Sequence, residues 1–156
     1  MVKILFKSVL HNIGVVLFAL GLVYLCTFLD RSLGLEAFSF PFSSFLGALL
    51  LLLGFALRLW ATAHFYARQM HVISLEPQGS LVTSGPYRYS RNPLYLGANV
   101  FCFFGAALLF GSLTATVLTI LHLPFINLVI RREERQLEQK FGEEFVAYKA
   151  RVRRWF

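Results

Sequence analysis

Three long stretches without a single Asp, Glu, Lys or Arg constrain this chain more than any other feature. They run from Ser8 to Leu29, from Ala37 to Leu57 and from Asn92 to Ile130. A helix crosses the hydrocarbon core of a bilayer with about 20 apolar residues, and it bonds all its backbone groups internally while doing so. The first two stretches therefore accommodate one span each, and the third is long enough for two. Gly111-Ser112 is the natural break in the third, because glycine and serine favour a turn. The expected spans are 8–29, 41–66, 93–110 and 113–130. The expected fold is all-α and integral to a membrane, with four transmembrane helices, a C-terminal amphipathic helix and one domain over residues 1–156. The composition agrees, with 57% hydrophobic and only 15% charged residues, far from a soluble domain.

The charges sort by end. Lys3 and Lys7 precede the first span, Arg68, Arg88 and Arg91 lie in the second connection, and six Arg and two Lys follow Ile130. The first connection carries Arg31 beside Asp30 and Glu36, and the Gly111 turn is uncharged. The positive-inside rule predicts both termini and the middle connection in the cytoplasm, and the expected location is the bacterial inner membrane. The apolar run after Lys7 is longer than the core of a cleaved leader, so the first span is expected to stay in place. A net charge of +7 spread along membrane edges suits anionic lipid headgroups rather than nucleic acid. Nothing in the sequence speaks to oligomeric state.

Few polar side chains interrupt the spans. Arg58 lies late in the second, near Trp60 and Tyr66, and is expected to snorkel to the interface. The functional alternative has Arg58 or His64 lining a cavity open to the cytoplasm. His11 is expected at the interface. His122 is expected to be buried and hydrogen-bonded, with Pro124 bending its helix. Cys26 and Cys102 read as small buried hydrophobes without metal or disulfide spacing, and no metal is expected. No span carries a carboxylate, which argues against a proton-coupled transporter.

The tail is patterned. Leu137, Phe141, Phe145, Tyr148 and Val152 recur at helical spacing and predict one amphipathic helix over 131–150. Extrapolated at 100° per residue, Glu134 falls within the apolar stripe and Glu133 at its edge. A carboxylate on an apolar face must be paired or must bind something. Pairing with Arg91 or Arg88 is one outcome, and binding a cationic or hydroxylated ligand is the other.

Between the second and third spans lies a basic, aromatic connection, SGPYRYSRNPLYLG, residues 84–97. Gly85-Pro86 predicts a turn, and Pro93 suits the first position of the third span. A membrane-flanking belt accounts for tyrosine and arginine in general, but not for their spacing. Arg91-Asn-Pro-Leu-Tyr-Leu-Gly97 resembles the R-[HN]-P-x-Y-x-G signature of the isoprenylcysteine carboxyl methyltransferases and phospholipid N-methyltransferases. The tail resembles their second signature, with Glu133, Glu134, Leu137, Phe141, Gly142, Phe145 and Tyr148 in its positions. Leu81-Val-Thr-Ser-Gly-Pro-Tyr87 fits as well.

The resemblance implies S-adenosylmethionine bound in a cytoplasmic pocket formed by the connection 68–92 and the tail, without a Rossmann domain. It implies Leu81, Val82 and Tyr87 along the cofactor, and Asn92, Pro93, Leu94 and Tyr95 as a wall. Glu133 and Glu134 would bind its polar groups. Arg91 and Glu134 are the catalytic candidates, with Arg91 orienting an anionic acceptor. The implied acceptor is a lipidic or membrane-partitioned carboxylate, amine or thiol. Two departures matter: Asn92 stands where the family commonly has histidine, so it offers a hydrogen bond rather than acid–base chemistry, and the tail is shorter than in many relatives. A non-enzymatic membrane interaction protein and a nicotinamide-dependent reductase of the membrane sterol reductase type are the rival readings.

Overall fold

A computed structural model of the chain describes residues 2–72 and 79–155. Residues 73–78 of the connection 68–92 lie outside the described residues. Among the described residues there is no strand. Four helices are long and apolar enough to cross a membrane: α1 (Val2–Ser32), α2 (Ser43–Ala67), α3 (Pro93–Phe110) and α4 (Leu113–Phe141). A short α5 (Glu143–Arg151) follows.

The helices alternate in direction. Asn12 of α1 meets Thr62 of α2, Phe18 meets Phe103, Tyr24 meets Phe110, and Asp30 meets Ser112. One end of the bundle therefore gathers the start of α1, the connection between α2 and α3, and the tail. The other end holds the 33–42 connection and the Gly111-Ser112 turn.

That second end is closed by a carboxylate. α1 runs past the expected boundary at residue 29, so Asp30 belongs to its last turn rather than to a loop. Asp30 is 4% exposed. It accepts hydrogen bonds from the Ser112 hydroxyl at 2.6 Å and the Thr114 amide at 3.0 Å, and also from the Thr114 hydroxyl. Ser112 caps α4, its Oγ accepting from the Ala115 amide. A negative charge at a helix N-terminus is favoured by the unpaired amides and dipole there. Asp30→Ala strands these donors, and is expected to lower stability by about 2 kcal/mol. A melting curve in detergent checks this, and an unchanged midpoint would remove Asp30 from the closure.

The core joins α2 to α3 through glycine. A Cβ on Gly47 would lie 2.7 Å from the Gly105 carbonyl oxygen, and one on Gly54 would lie 2.7 Å from that of Gly97. In lipid, where apolar burial drives little helix association, such close backbone approach provides the attraction. α1 covers this pair with Ala19 and Val23, the latter packed with Ala106, Ala107 and Ala115.

α3 is not regular. Leu96–Phe103 is a π-helix, a wide turn often found at functional sites. Two backbone carbonyls just before and within its entry are taken by side chains: Leu94 O accepts from Arg58 Nη1 at 2.7 Å, and Tyr95 O accepts from Asn99 Nδ2 at 3.1 Å.

Three expectations fail. Arg58 does not snorkel: it is 6% exposed and turned inward between α1 and α3. It is held there by acceptors that only the packed bundle brings to it. His122 is exposed, stacked on Phe125, rather than buried. The tail is not one helix over 131–150. α4 carries straight on to Phe141, Gly142 breaks it at φ +51, and α5 starts afresh. Glycine adopts that left-handed backbone without a Cβ penalty. The stripe projected through Phe145 and Tyr148 thus belongs to two helices, and its phase does not carry across the break.

Candidate functional site

The polar site lies at the end where the connection meets the tail. Gly85–Arg88 forms a short 3-10 turn, pinned to the end of α2 by Arg68, which donates to Ser84 Oγ at 3.1 Å. Gly85 lies so close to the His64 ring that a Cβ there would overlap it. Pro86 and Tyr87 are buried beneath, and Tyr87 packs with Ala61, Met70 and Val82 against Phe65 and Leu94. Pro93 then opens α3 at a position that needs no amide hydrogen.

The tail folds back onto this turn. Arg91 donates through Nε and Nη2 to Glu134 Oε1, at 3.0 and 2.8 Å. Its Nη1 donates to the carbonyls of Val152 and Lys149 at 2.6 and 3.2 Å. Arg154 grips the other side of Glu134, with Nη2 2.6 Å from Oε2. The backbones also join, Arg91 N donating to Arg153 O. Ser90 Oγ and Asn92 Nδ2 both donate to Arg154 O. The Tyr148 hydroxyl donates to Tyr87 O at 2.7 Å. Both oxygens of Glu134 are therefore spent inside the protein. Of the two outcomes open to this carboxylate, pairing with Arg91 is the one the geometry displays, while Arg88 is exposed and makes no contact with it. The Glu134 hydrogen bond holds the Arg154 guanidinium above its ordinary value, and burial pushes up the Tyr148 hydroxyl.

Glu133 is placed differently. Its Oε1 accepts from the Tyr95 hydroxyl at 2.5 Å, and Oε2 has no hydrogen-bond partner among the described residues. Tyr87 carries a second unsatisfied atom, a buried hydroxyl without a partner among the described residues. Burial first, then the Tyr148 charge, pushes that hydroxyl well above the ordinary tyrosine value. Arg58 opposes the shift and Glu133 adds to it.

The structure thus brings Val82, Tyr87, Leu94 and Tyr95 together with Glu133 around one junction, and turns Arg91, Asn92 and Glu134 to fastening the tail. Leu81 is half-buried beside Val82, and Pro93 is buried at the start of α3. Sequence reasoning missed Arg154, whose role rests on a fold-back that no periodicity announces. It also undervalued Arg58, although a charge nine residues inside the end of α2 was a signal.

Fold and site together define a small helical protein with membrane-length helices, whose loop and tail are joined by polar side chains at one end of the bundle. The sequence pattern described as "Phospholipid methyltransferase" matches residues 42–144, from the lead-in to α2 to the start of α5. The chain belongs to the phospholipid methyltransferase family. Two rice proteins, from Oryza sativa subsp. indica and subsp. japonica, are each 30% identical to it over 125 residues. Both are named "Probable protein-S-isoprenylcysteine O-methyltransferase", and the match covers 75% of this chain and 65% of theirs. No solved structure matches the chain.

Proposed function

We propose that this protein is an S-adenosylmethionine-dependent methyltransferase acting on a lipidic or membrane-partitioned acceptor. The observation that carries the reading is the buried Tyr87 hydroxyl, which has no partner among the described residues, together with the half-buried Glu133 carboxylate, of which only Oε1 is bonded among them. Buried polar atoms without partners are rare in a finished structure and mark places where a ligand completes the bonding. Hydroxyls and an amino group are among the groups such a carboxylate and phenol bind, so the residues fit this cofactor. The membership of the family and the resemblance to the rice proteins support the same reading.

When bound, S-adenosylmethionine supplies a methyl group already attached to a good leaving group. The chain then has to bind, orient and exclude water. In this reading Glu133, fixed by Tyr95, holds polar groups of the cofactor. The faces of Tyr87 and Tyr95 favour a sulfonium cation. Leu81, Val82, Pro93 and Leu94 supply apolar walls. Arg91, Glu134 and Arg154 clamp the tail over the turn and so set the distance between the two signatures. This moves Arg91 and Glu134 from catalytic to positioning roles. Asn92 is part of the same fastening.

Incubation of the purified protein with methyl-labelled S-adenosylmethionine and a native membrane lipid extract tests the activity. A labelled lipid product is expected; no product together with no saturable cofactor binding overturns it. Tyr87→Phe tests the site. The hydroxyl has no partner among the described residues, so stability should hold, while cofactor affinity should fall by about 1 kcal/mol. An affinity equal to that of the parent in a calorimetric titration would take Tyr87 out of the pocket.

The basic asymmetry of the chain places the site at the cytoplasmic face in this reading. With Cys26 and Cys102 replaced by alanine, a membrane-impermeant thiol reagent added to intact cells should label Leu35→Cys but not Gly79→Cys. The reverse pattern would invert the topology.

A further inference from the structure

Arg58 poses a problem that the site around Glu133 does not solve. It lies nine residues before the end of α2 at Ala67, roughly 14 Å along the helix axis, and it is buried. No carboxylate pairs with it among the described residues. Its bonds are all to neutral groups. Nε donates to Asn12 Oδ1 at 2.9 Å, Nη1 to Leu94 O at 2.7 Å, and Nη2 faces His11 Nε2 at 3.3 Å. Arginine only donates, so His11 Nε2 must be the acceptor and carries no proton in this arrangement. Thr62 and the Ser8 carbonyl hold Asn12 in place from its amide side.

Neutral acceptors orient a guanidinium but do not cancel its charge. A buried cation left without a counter-charge is costly, and such a group in a membrane span usually serves a ligand or a pathway. Three of its five N–H groups are engaged by these contacts, and two are left over. The Nε side is sealed by fully buried Asn12, whereas His11 and Leu94 on the Nη side are only half-buried. The two N–H groups left over belong to the planar Nη fork that suits a carboxylate or phosphate. Ser8, one turn before Asn12, adds a fully buried hydroxyl without a partner among the described residues.

The surroundings say what kind of molecule carries the anion. Leu5, Phe6, Leu10 and Ile13 of α1 are exposed beside the polar positions Ser8, His11 and Asn12. An amphiphile can thus keep its chain along this apolar surface while its head reaches inward. Leu94, whose carbonyl Arg58 holds, lies next to Tyr95, the partner of Glu133.

We infer that Arg58 of α2, oriented by His11 and Asn12 of α1, forms an anion site that takes the acidic head of the membrane acceptor. The inference rests on the methyltransferase reading for the word acceptor, and on the Arg58 geometry alone for the anion site. It assigns a role to α1, which lies outside the family match at 42–144. It also narrows the acceptor to lipids that carry a carboxylate or phosphate in the head.

The test uses the full chain in uncharged detergent with three single-chain probes, dodecanoate, dodecyl phosphate and dodecanol, and separately with S-adenosylhomocysteine. The parent should bind dodecanoate or dodecyl phosphate about tenfold more tightly than dodecanol, the scale of one charge-assisted hydrogen bond. Which of the two binds tighter separates a carboxylate from a phosphate head. Arg58→Gln should abolish the preference and leave S-adenosylhomocysteine affinity unchanged. Should Arg58→Gln not fold, His11→Glu serves instead, because it keeps the guanidinium and supplies an internal carboxylate that blocks the site. Equal binding of all three probes by the parent overturns the inference. So does a preference that survives substitution, or a loss of S-adenosylhomocysteine affinity with the preference intact, which would give Arg58 to the cofactor. A parent that prefers the anions but binds no S-adenosylhomocysteine would overturn the methyltransferase reading and leave the anion site standing.

Discussion

Glu134→Gln is expected to melt well below the parent while binding S-adenosylmethionine nearly as tightly. Glu134 is 7% exposed and is shared by Arg91 and Arg154. The amide keeps the shape and one acceptor, but it removes the negative charge that two guanidinium groups face. Removing one partner from a buried ion pair costs about 3–5 kcal/mol. The lower end applies here, since the Arg154 side chain is 28% exposed and water relieves part of its charge. Glu133→Gln should behave in the opposite way. Among the described residues its carboxylate bonds Tyr95 through Oε1 and nothing through Oε2. Losing its charge should weaken cofactor binding by about 1.5–3 kcal/mol, with a smaller change in melting. Melting temperature and dissociation constant measured on both variants decide the matter. If Glu134→Gln loses the affinity and Glu133→Gln the stability, the two carboxylates exchange roles.

Gly54→Ala is expected to be among the most damaging methyl additions in the chain. The new Cβ would meet the Gly97 carbonyl oxygen at 2.7 Å, Cys102 Sγ at 2.8 Å and Phe101 Cβ at 2.8 Å. The carbonyl belongs to backbone and cannot rotate away, so α2 and α3 must separate. Overpacking of this kind costs about 1–3 kcal/mol. The separation also pulls Arg58 from Leu94 O, because the Arg58 stem lies against Gly97. Activity should therefore fall further than stability. Gly14→Ala is the control. Nothing lies within 4 Å of a Cβ there, and replacing glycine inside a helix should gain about 0.5–1 kcal/mol. Thermal melting of both variants in the same detergent checks the pair, and equal midpoints would show that α2 and α3 are not in backbone contact.

The four membrane-length helices were legible in the sequence because their cause is local. A run without charge, long enough to cross a bilayer, has few alternatives to helix once it is in lipid. The two signatures were legible for a similar reason, since Pro93, Gly85 and the tyrosines act on the backbone within a few residues of themselves. What each polar side chain does was not legible. Arg58 is bonded across 46 residues to Asn12 and across 36 to Leu94. Glu134 is bonded across 43 residues to Arg91 and across 20 to Arg154. A helical projection places Glu134 on an apolar face and leaves open whether it is paired or binds a ligand. The same residue in the folded chain is enclosed by two arginines, because Gly142 turns α5 back and Arg154 returns with it. Periodicity assumes an unbroken helix and cannot register that return. The hydrophobic pattern and its length determined where the chain enters and leaves the membrane. Tertiary structure decided which charges were spent on one another and which were not, because a charge is satisfied by what stands within about 3 Å of it, whatever its distance along the chain.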